Sequence, residues 1–196
     1  MTLWRFDQGR LDYLQFDEIK RIALALTDIN GIPKPNVDDD ILRQALSNYS
    51  PRPFAPANYT VWRNYRRVFG CLLLATEVAG RIVCTDLCKA LATDSNEIDI
   101  DDYMRHFATH FYYPSPIFDG YNCTDPQTFP VVAIIKFLLS EYLVRGKNSI
   151  TVDEIGSYLM ANNVTGLEPL NFYSTLKPKS FHGDLRQSRE LIRFIR

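Results

Sequence analysis

Several stretches of the chain hold residue types from which a site could be built. Arg186-Gln-Ser-Arg189 sets two guanidinium groups, an amide and a hydroxyl at four consecutive positions. Arg pairs with guanine and Gln with adenine through two hydrogen bonds to the base edge, so Arg186, Gln187, Ser188 and Arg189 have the chemistry of a base reader. Lys177, Lys179 and His182 precede them, cations suited to phosphate. Arg52, Arg63, Arg66 and Arg67 form a second basic cluster, interleaved with Tyr59, Trp62 and Tyr65. That cluster suits a phosphate-binding or stacking surface; the competing expectation is that its aromatics pack inward at the start of a helix.

Catalytic chemistry is harder to assemble. His106 and His110 stand four apart, a spacing zinc ligands use. The intervening Phe107-Ala-Thr109 lacks the glutamate of a HExxH site, and no third ligand is evident. One packed and one exposed histidine is the expectation. Cys84 and Cys88 are also four apart, with no second pair and no CxxC; they read as small buried apolar residues, like Cys71 and Cys123. Asp99-Ile-Asp101-Asp102 is rich in carboxylates but lacks the lysine of a metal-dependent nuclease, and reads as a helix start. His182-Gly-Asp184 is too small to stand as a histidine nuclease motif, and no glycine-rich phosphate loop is present. The expectation is no catalytic residue, no metal ligand and no cofactor, magnesium entering only with an attached nuclease domain. The surviving enzyme reading is a noncontiguous site that uses His106, His110 or His182.

The charge balance narrows the binding classes. With 22 basic and 23 acidic residues the net charge is −1, which disfavours an indiscriminate nucleic-acid binder. The total hides blocks: residues 51–93 carry six basic and two acidic residues, and 164–196 carry six and three. Residues 94–130 carry one basic and seven acidic. A neutral chain can therefore still present a basic face, one that relies on fitted contacts.

Elements must position these groups. At 196 residues with 46% apolar and 23% charged content, the chain can fold as one domain or two small ones without disulfides. No apolar run approaches the roughly 18 residues of a membrane span, and the longest, Phe69 to Ala79, contains Glu77. Asp7 and Asp12 interrupt any signal pattern at the start, so a cytoplasmic protein with no membrane partner is expected. Phe16, Ile19, Ile22, Ala23 and Leu26 form one helical stripe over 16–29. A second helix spans Asp40 to Tyr49, with Ile41, Leu42, Ala45 and Leu46 inward.

An internal repeat follows. A long helix over Tyr59 to Ala79 ends at Gly80, and five residues later Thr85 caps a helix over Asp86 to Ala92. A long helix over Pro130 to Arg145 ends at Gly146, and five residues later Thr151 caps a helix over Val152 to Asn162, with Glu154 completing a capping box. Third helices are expected at Asp101 to Phe111 and at Asp184 to Ile195. Gly166 to Phe181 has room for a wing, with Asn171 to Leu176 as one strand and Ser149 to Thr151 as another. The fold expected is mainly α with small β wings (α+β): an N-terminal helical segment (1–50), a winged-helix-like or helix-turn-helix-like unit (51–112), a linker (113–129) and a second such unit (130–196). The third helix of the first unit opens on Asp99, Asp101 and Asp102 and would repel phosphate, whereas that of the second opens on Arg186 and Gln187. The second unit is therefore the better reader. Leu191, Ile192, Phe194 and Ile195 carry an apolar stripe to the last residue without a stop signal, which suggests a piece of a longer chain; a packed C-terminal helix would look the same.

Two stretches carry a resemblance, together 28 of the 196 residues: Phe6 to Ala23 (FDQGRLDYLQFDEIKRIA) and Arg186 to Ile195 (RQSRELIRFI). The first resembles the opening of some bacterial restriction-endonuclease-like proteins, and the second a segment that follows their recognition module. The resemblance implies a helical, winged-helix-type region that reads DNA for a separate nuclease domain, in some relatives at modified cytosine. The sequence thus favours a sequence-specific double-stranded DNA-binding module, with Arg186, Gln187, Ser188 and Arg189 on bases. Arg63, Arg66, Arg67, Lys177, Lys179 and His182 would hold phosphates. A homodimer is compatible with it. The rival is a winged-helix protein-interaction scaffold that binds no DNA.

Overall fold

The computed structural model describes residues 4, 15–34, 40–50, 61–93, 98–116 and 126–195, with the side chains of Arg63 and Asn64 excepted. These residues are mainly helical with one small antiparallel sheet, an α+β composition. The chain forms two compact units, one of residues 7–104 and 117–119, the other of 1–6, 105–116 and 120–196.

The first unit begins with α1 (Phe16–Asp28) and α2 (Asp40–Tyr49). Ile19, Ile22, Ala23 and Leu26 are buried as their spacing requires, and Leu42, Ala45 and Leu46 meet them from α2. Ile41, expected inward, is 65% exposed. The Tyr49 hydroxyl donates to Asp28 Oδ2 at 2.7 Å, tying the helix ends together. Glu18 is buried, and its carboxylate accepts from Ser50 Oγ and pairs with Arg21.

The single long helix expected over 59–79 is instead a helix and a hairpin. α3 (Val61–Cys71) stops, Leu73 turns through a left-handed φ of 59°, and β1 (Ala75–Val78) pairs with β2 (Arg81–Cys84). Ala79 and Gly80, with φ of 49° and 72°, form the turn, the two successive left-handed residues of a primed hairpin turn. An apolar run of strand length reads the same as a helix segment by periodicity alone; here β-branched Thr76, Val78, Ile82 and Val83 favour the strand. Gly80 is therefore a hairpin glycine, whereas Gly146 is a helix C-cap at φ 66°, and the equal Gly-to-Thr spacing joins unlike structures. Thr85 does cap α4 (Asp86–Leu91), accepting from Cys88 N at 3.1 Å. Cys84 and Cys88 are free, buried thiols directed at the carbonyls of Leu26 and Ala23 in α1. Cys71 is likewise free and buried.

The division between units falls within α5 (Ile100–His110), after Met104. In the second unit Tyr113 and Thr128 exchange backbone hydrogen bonds of 2.9 and 2.7 Å, closing the intervening segment at its base. α6 (Pro130–Arg145) has the bounds its proline and glycine imply. The capping box of Thr151 and Glu154 opens α7 (Val152–Glu154), which continues as a π-helical stretch, Ile155–Met160. The strand expected at Asn171–Leu176 is a short helix, α8 (Leu170–Tyr173), and Ser149–Thr151 forms no strand. Local bonding overrides strand propensity there. Glu168 accepts from Thr165 N, Thr165 Oγ1 and Gly166 N at 2.7–2.8 Å and from the hydroxyl of buried Tyr173 at 3.2 Å, folding 165–173 into a tight turn and helix. α9 (Arg186–Ile195) ends the described chain.

Candidate nucleic-acid interface

α9 has two faces set by its periodicity. Ser188, Leu191 and Ile192 are buried, and Phe194 meets Phe107 edge-on at 4.8 Å. Arg186, Arg189 and Arg193 are exposed, and their spacing of three and four aligns them in one stripe. Asp184 Oδ1 accepts from Arg186 N at 2.7 Å, so a carboxylate already occupies the amide end of the helix. Arg186 Nε donates to Glu190 Oε1 at 2.9 Å. Glu190 is only 17% exposed and its other oxygen, Oε2, is buried without a hydrogen-bond partner among the described residues, so releasing that arginine leaves a half-buried carboxylate uncompensated and costs more than parting a surface pair. Gln187 is half-buried.

Ser188 does not belong with the base readers. It is 0% exposed and its hydroxyl donates to Met160 Sδ at 3.2 Å, which makes it a core residue of the α9 interface. The helical period places position 188 with 191 and 192, on the face away from Arg186 and Arg189.

The segment ahead of α9 has no regular structure, yet its backbone is fixed. Asn162 Nδ2 donates to Lys177 O at 3.0 Å, and Lys179 N donates to Ser157 O at 3.0 Å. Both anchors belong to the π-helical stretch and the turn after it. Phe181 folds back beneath Gly183 and against Gly156, where an added Cβ would lie 2.4 Å and 3.1 Å from its ring. Glycine at both positions leaves the ring its seat. Lys177, Lys179 and His182 are exposed on this anchored backbone. Their side chains, like that of Arg189, make no hydrogen bond or ion pair among the described residues. Sequence reasoning missed Asn162, Ser157 and Gly156, which carry no charge pattern. It also missed Arg193, which the i+4 spacing from Arg189 would have found.

The other basic cluster belongs to the first unit. Arg63 lies on α3 with no described side chain, Arg66 is half-buried and Arg67 exposed, and neither of the latter is free. Arg52 and Tyr59 lie outside the described residues. Trp62 is 2% exposed, 6.1 Å from Phe69 between ring centroids, and Tyr65 stacks on the same ring at 6.3 Å. These aromatics pack inward instead of offering a stacking platform.

The histidine pair is a stacked couple, with ring centroids 4.0 Å apart, and His110 Nδ1 lies 2.9 Å from His106 O. Burial first, then the neighbouring His110, holds the His106 imidazole below its ordinary value. Asp99 caps α5, its Oδ1 accepting from Asp102 N at 2.9 Å, as the acid-rich helix start implied. Among the described residues, no three His, Cys, Asp or Glu side chains converge as metal ligands. None of the described helices is long and apolar enough to cross a membrane. No protein-family model, no curated protein and no solved structure matches this chain.

Proposed function

We propose that the chain binds double-stranded DNA in a sequence-specific manner, through the anchored loop 177–182 and the exposed face of α9. The observation that carries this reading is the set of exposed basic side chains, Lys177, Lys179 and His182 on a loop held by Asn162 and Ser157 and Arg189 on α9, that pair with nothing among the described residues. A fixed loop backbone presents its lysine side chains to phosphates without the loop first being ordered, and each phosphate contact releases a counterion. Arg186, Gln187 and Arg189 read base edges in this scheme, with Arg186 leaving Glu190 to do so. Arg63, Arg66 and Arg67 supply further phosphate contacts. The units act as helix-turn-helix-like modules, the second without the expected wing strands among the described residues, in a cytoplasmic protein. The resemblance of 6–23 and 186–195 supports a specificity module of a restriction endonuclease, its magnesium-dependent nuclease domain outside this chain and methylated cytosine a candidate for its target.

A binding selection on random duplexes, with and without methylated cytosine and at two salt concentrations, tests the reading. Enrichment of one motif with salt-dependent affinity is expected, and Lys177→Ala should weaken all duplexes alike and lower the salt slope by about 1. Absence of duplex binding at low salt refutes it. The alternative, a protein-interaction scaffold, is favoured by the exposed apolar residues of α6 and predicts salt-insensitive protein binding.

A further inference from the structure

The core of the first unit holds a small polar cluster where β2 and α4 meet α1. Cys84 Sγ donates to Leu26 O at 3.2 Å, and Cys88 Sγ lies 3.6 Å from Ala23 O. Those carbonyls stand three residues apart on α1, so they share a face and draw the two sulfurs to one place. The thiols also hydrogen-bond to each other, Cys88 donating to Cys84. Thr27 Oγ1 lies beside both sulfurs and donates to Ala23 O at 2.9 Å. The turn between the cysteines is fixed as well. Thr85 N donates to Leu74 O at 2.8 Å, and Thr85 Oγ1 donates to Leu73 O at 2.6 Å while accepting from Cys88 N at 3.1 Å. Two free thiols in hydrogen-bond contact on a fixed turn are two hydrogen atoms and a small closure short of a disulfide.

We propose that Cys84 and Cys88 are a peroxide-reactive dithiol, in which Cys84 takes up the oxidant's oxygen and Cys88 resolves it to an intramolecular disulfide. Cys84 is the attacking sulfur. It is 4% exposed against 0% for Cys88, so a molecule little larger than water meets it first. The bond from the Cys88 thiol, helped by the nearby positive charge of Lys89, holds it below its ordinary range against the effect of burial. The Cys84 thiolate attacks one oxygen of hydrogen peroxide. An S–O bond forms, the O–O bond breaks, and the departing hydroxide takes the proton that Cys84 gave up, leaving as water. The Cys88 sulfur then attacks Cys84 Sγ. The S–S bond forms, the S–O bond breaks, and the Cys88 proton leaves with the hydroxyl as a second water. Two electrons from the sulfurs thus reduce one peroxide to two waters. The inference is independent of the DNA reading, whose base-reading residues belong to the other unit.

Trypsin cleaves after Arg81 and Lys89, so both sulfurs leave in one peptide, 82–89, free of Cys71 and Cys123. From the full chain treated with hydrogen peroxide, this peptide should be lighter by two hydrogen atoms, and dithiothreitol should restore it. In Cys88→Ser the peptide should instead gain oxygen at Cys84. In Cys84→Ser, Cys88 should stay unmodified over the same time, with both variants matching wild type in circular dichroism. A wild-type peptide that keeps its hydrogens while free glutathione in the same tube is oxidised overturns the proposal. So does a disulfide from either cysteine to Cys71 or Cys123. A Cys84→Ser chain whose Cys88 takes up oxygen as fast as Cys84 does in Cys88→Ser also overturns it, by removing the division of roles.

Discussion

Replacing Gly166 with alanine should be among the costliest single-methyl additions to the second unit. Gly166 has φ of 91°, a conformation that L-residues avoid at a cost of about 1–2 kcal/mol. An added Cβ would stand 2.6 Å from Phe129 O and 3.3 Å from Ala133 N, both backbone atoms. Those atoms cannot move alone, because Phe129 N donates to Thr165 O at 2.6 Å and Ala133 N to Phe129 O at 2.9 Å. Relieving the overlap therefore strains or breaks at least one hydrogen bond, a further 0.5–1.5 kcal/mol or so, on top of an overpacking cost of about 1–3 kcal/mol. The total is about 2.5–6.5 kcal/mol. Gly146 provides the internal control, since its φ is 66° and an added Cβ meets nothing within 4 Å. Gly146→Ala should cost only the conformational part, about 1 kcal/mol. Urea unfolding of both variants measures the difference, which should reach at least about 1.5 kcal/mol at unchanged m-value. Equal costs would refute the claim that contact with the start of α6, and not the backbone angle, makes Gly166 indispensable.

Ser188→Ala should lower stability by about 1 kcal/mol in the same assay and leave base discrimination as it was, because the hydroxyl serves Met160. Arg189→Ala should do the reverse, with stability within about 0.5 kcal/mol of wild type and duplex affinity reduced in anisotropy titrations. Burial alone would raise the Glu168 carboxyl, but hydrogen bonds from Thr165 and Gly166 to its charged form outweigh it and hold it below the ordinary carboxylate range. Its contribution to stability is thus present above the unfolded value and lost as pH falls through the lower folded value. Glu168→Gln should flatten the acid limb of an unfolding profile below about pH 4.5, and an unaltered limb would show that the turn does not depend on the charge.

Helix ends were the most legible part of the chain. Pro130 and Gly146 mark α6 at both ends, and Thr151 with Glu154 announces the capping box, because those residue types satisfy exposed backbone groups that few others can. The hairpin was hidden because 69–79 is apolar but for Thr76 and Glu77, and the turn signal of Ala79-Gly80 is weaker than the usual Asn-Gly. α8 was hidden because its strand-forming residues answer to Glu168, whose reach to Thr165, Gly166 and Tyr173 has no periodic signature. At the candidate interface, charge located Lys177, Lys179 and Arg189. What fixes the loop is the amide of Asn162, the Ser157 carbonyl and the absence of a side chain at Gly156, none of which is legible from charge.

The paired thiols of the first unit give the chain a native clock for local opening. Cys84 at the end of β2 and Cys88 in α4 face the carbonyls of Leu26 and Ala23, so an alkylating reagent reaches both only when β2 and α4 part from α1. The hydrogen bond with Cys84 and burial hold the Cys88 thiol far above its ordinary range, whereas the same hydrogen bond from Cys88 holds Cys84 below its own, so Cys84 is the more reactive of the two once it is exposed. Their labelling rate under native conditions, read by peptide mapping apart from Cys71 and Cys123, therefore reports the free energy of that local opening, and it needs no engineered probe.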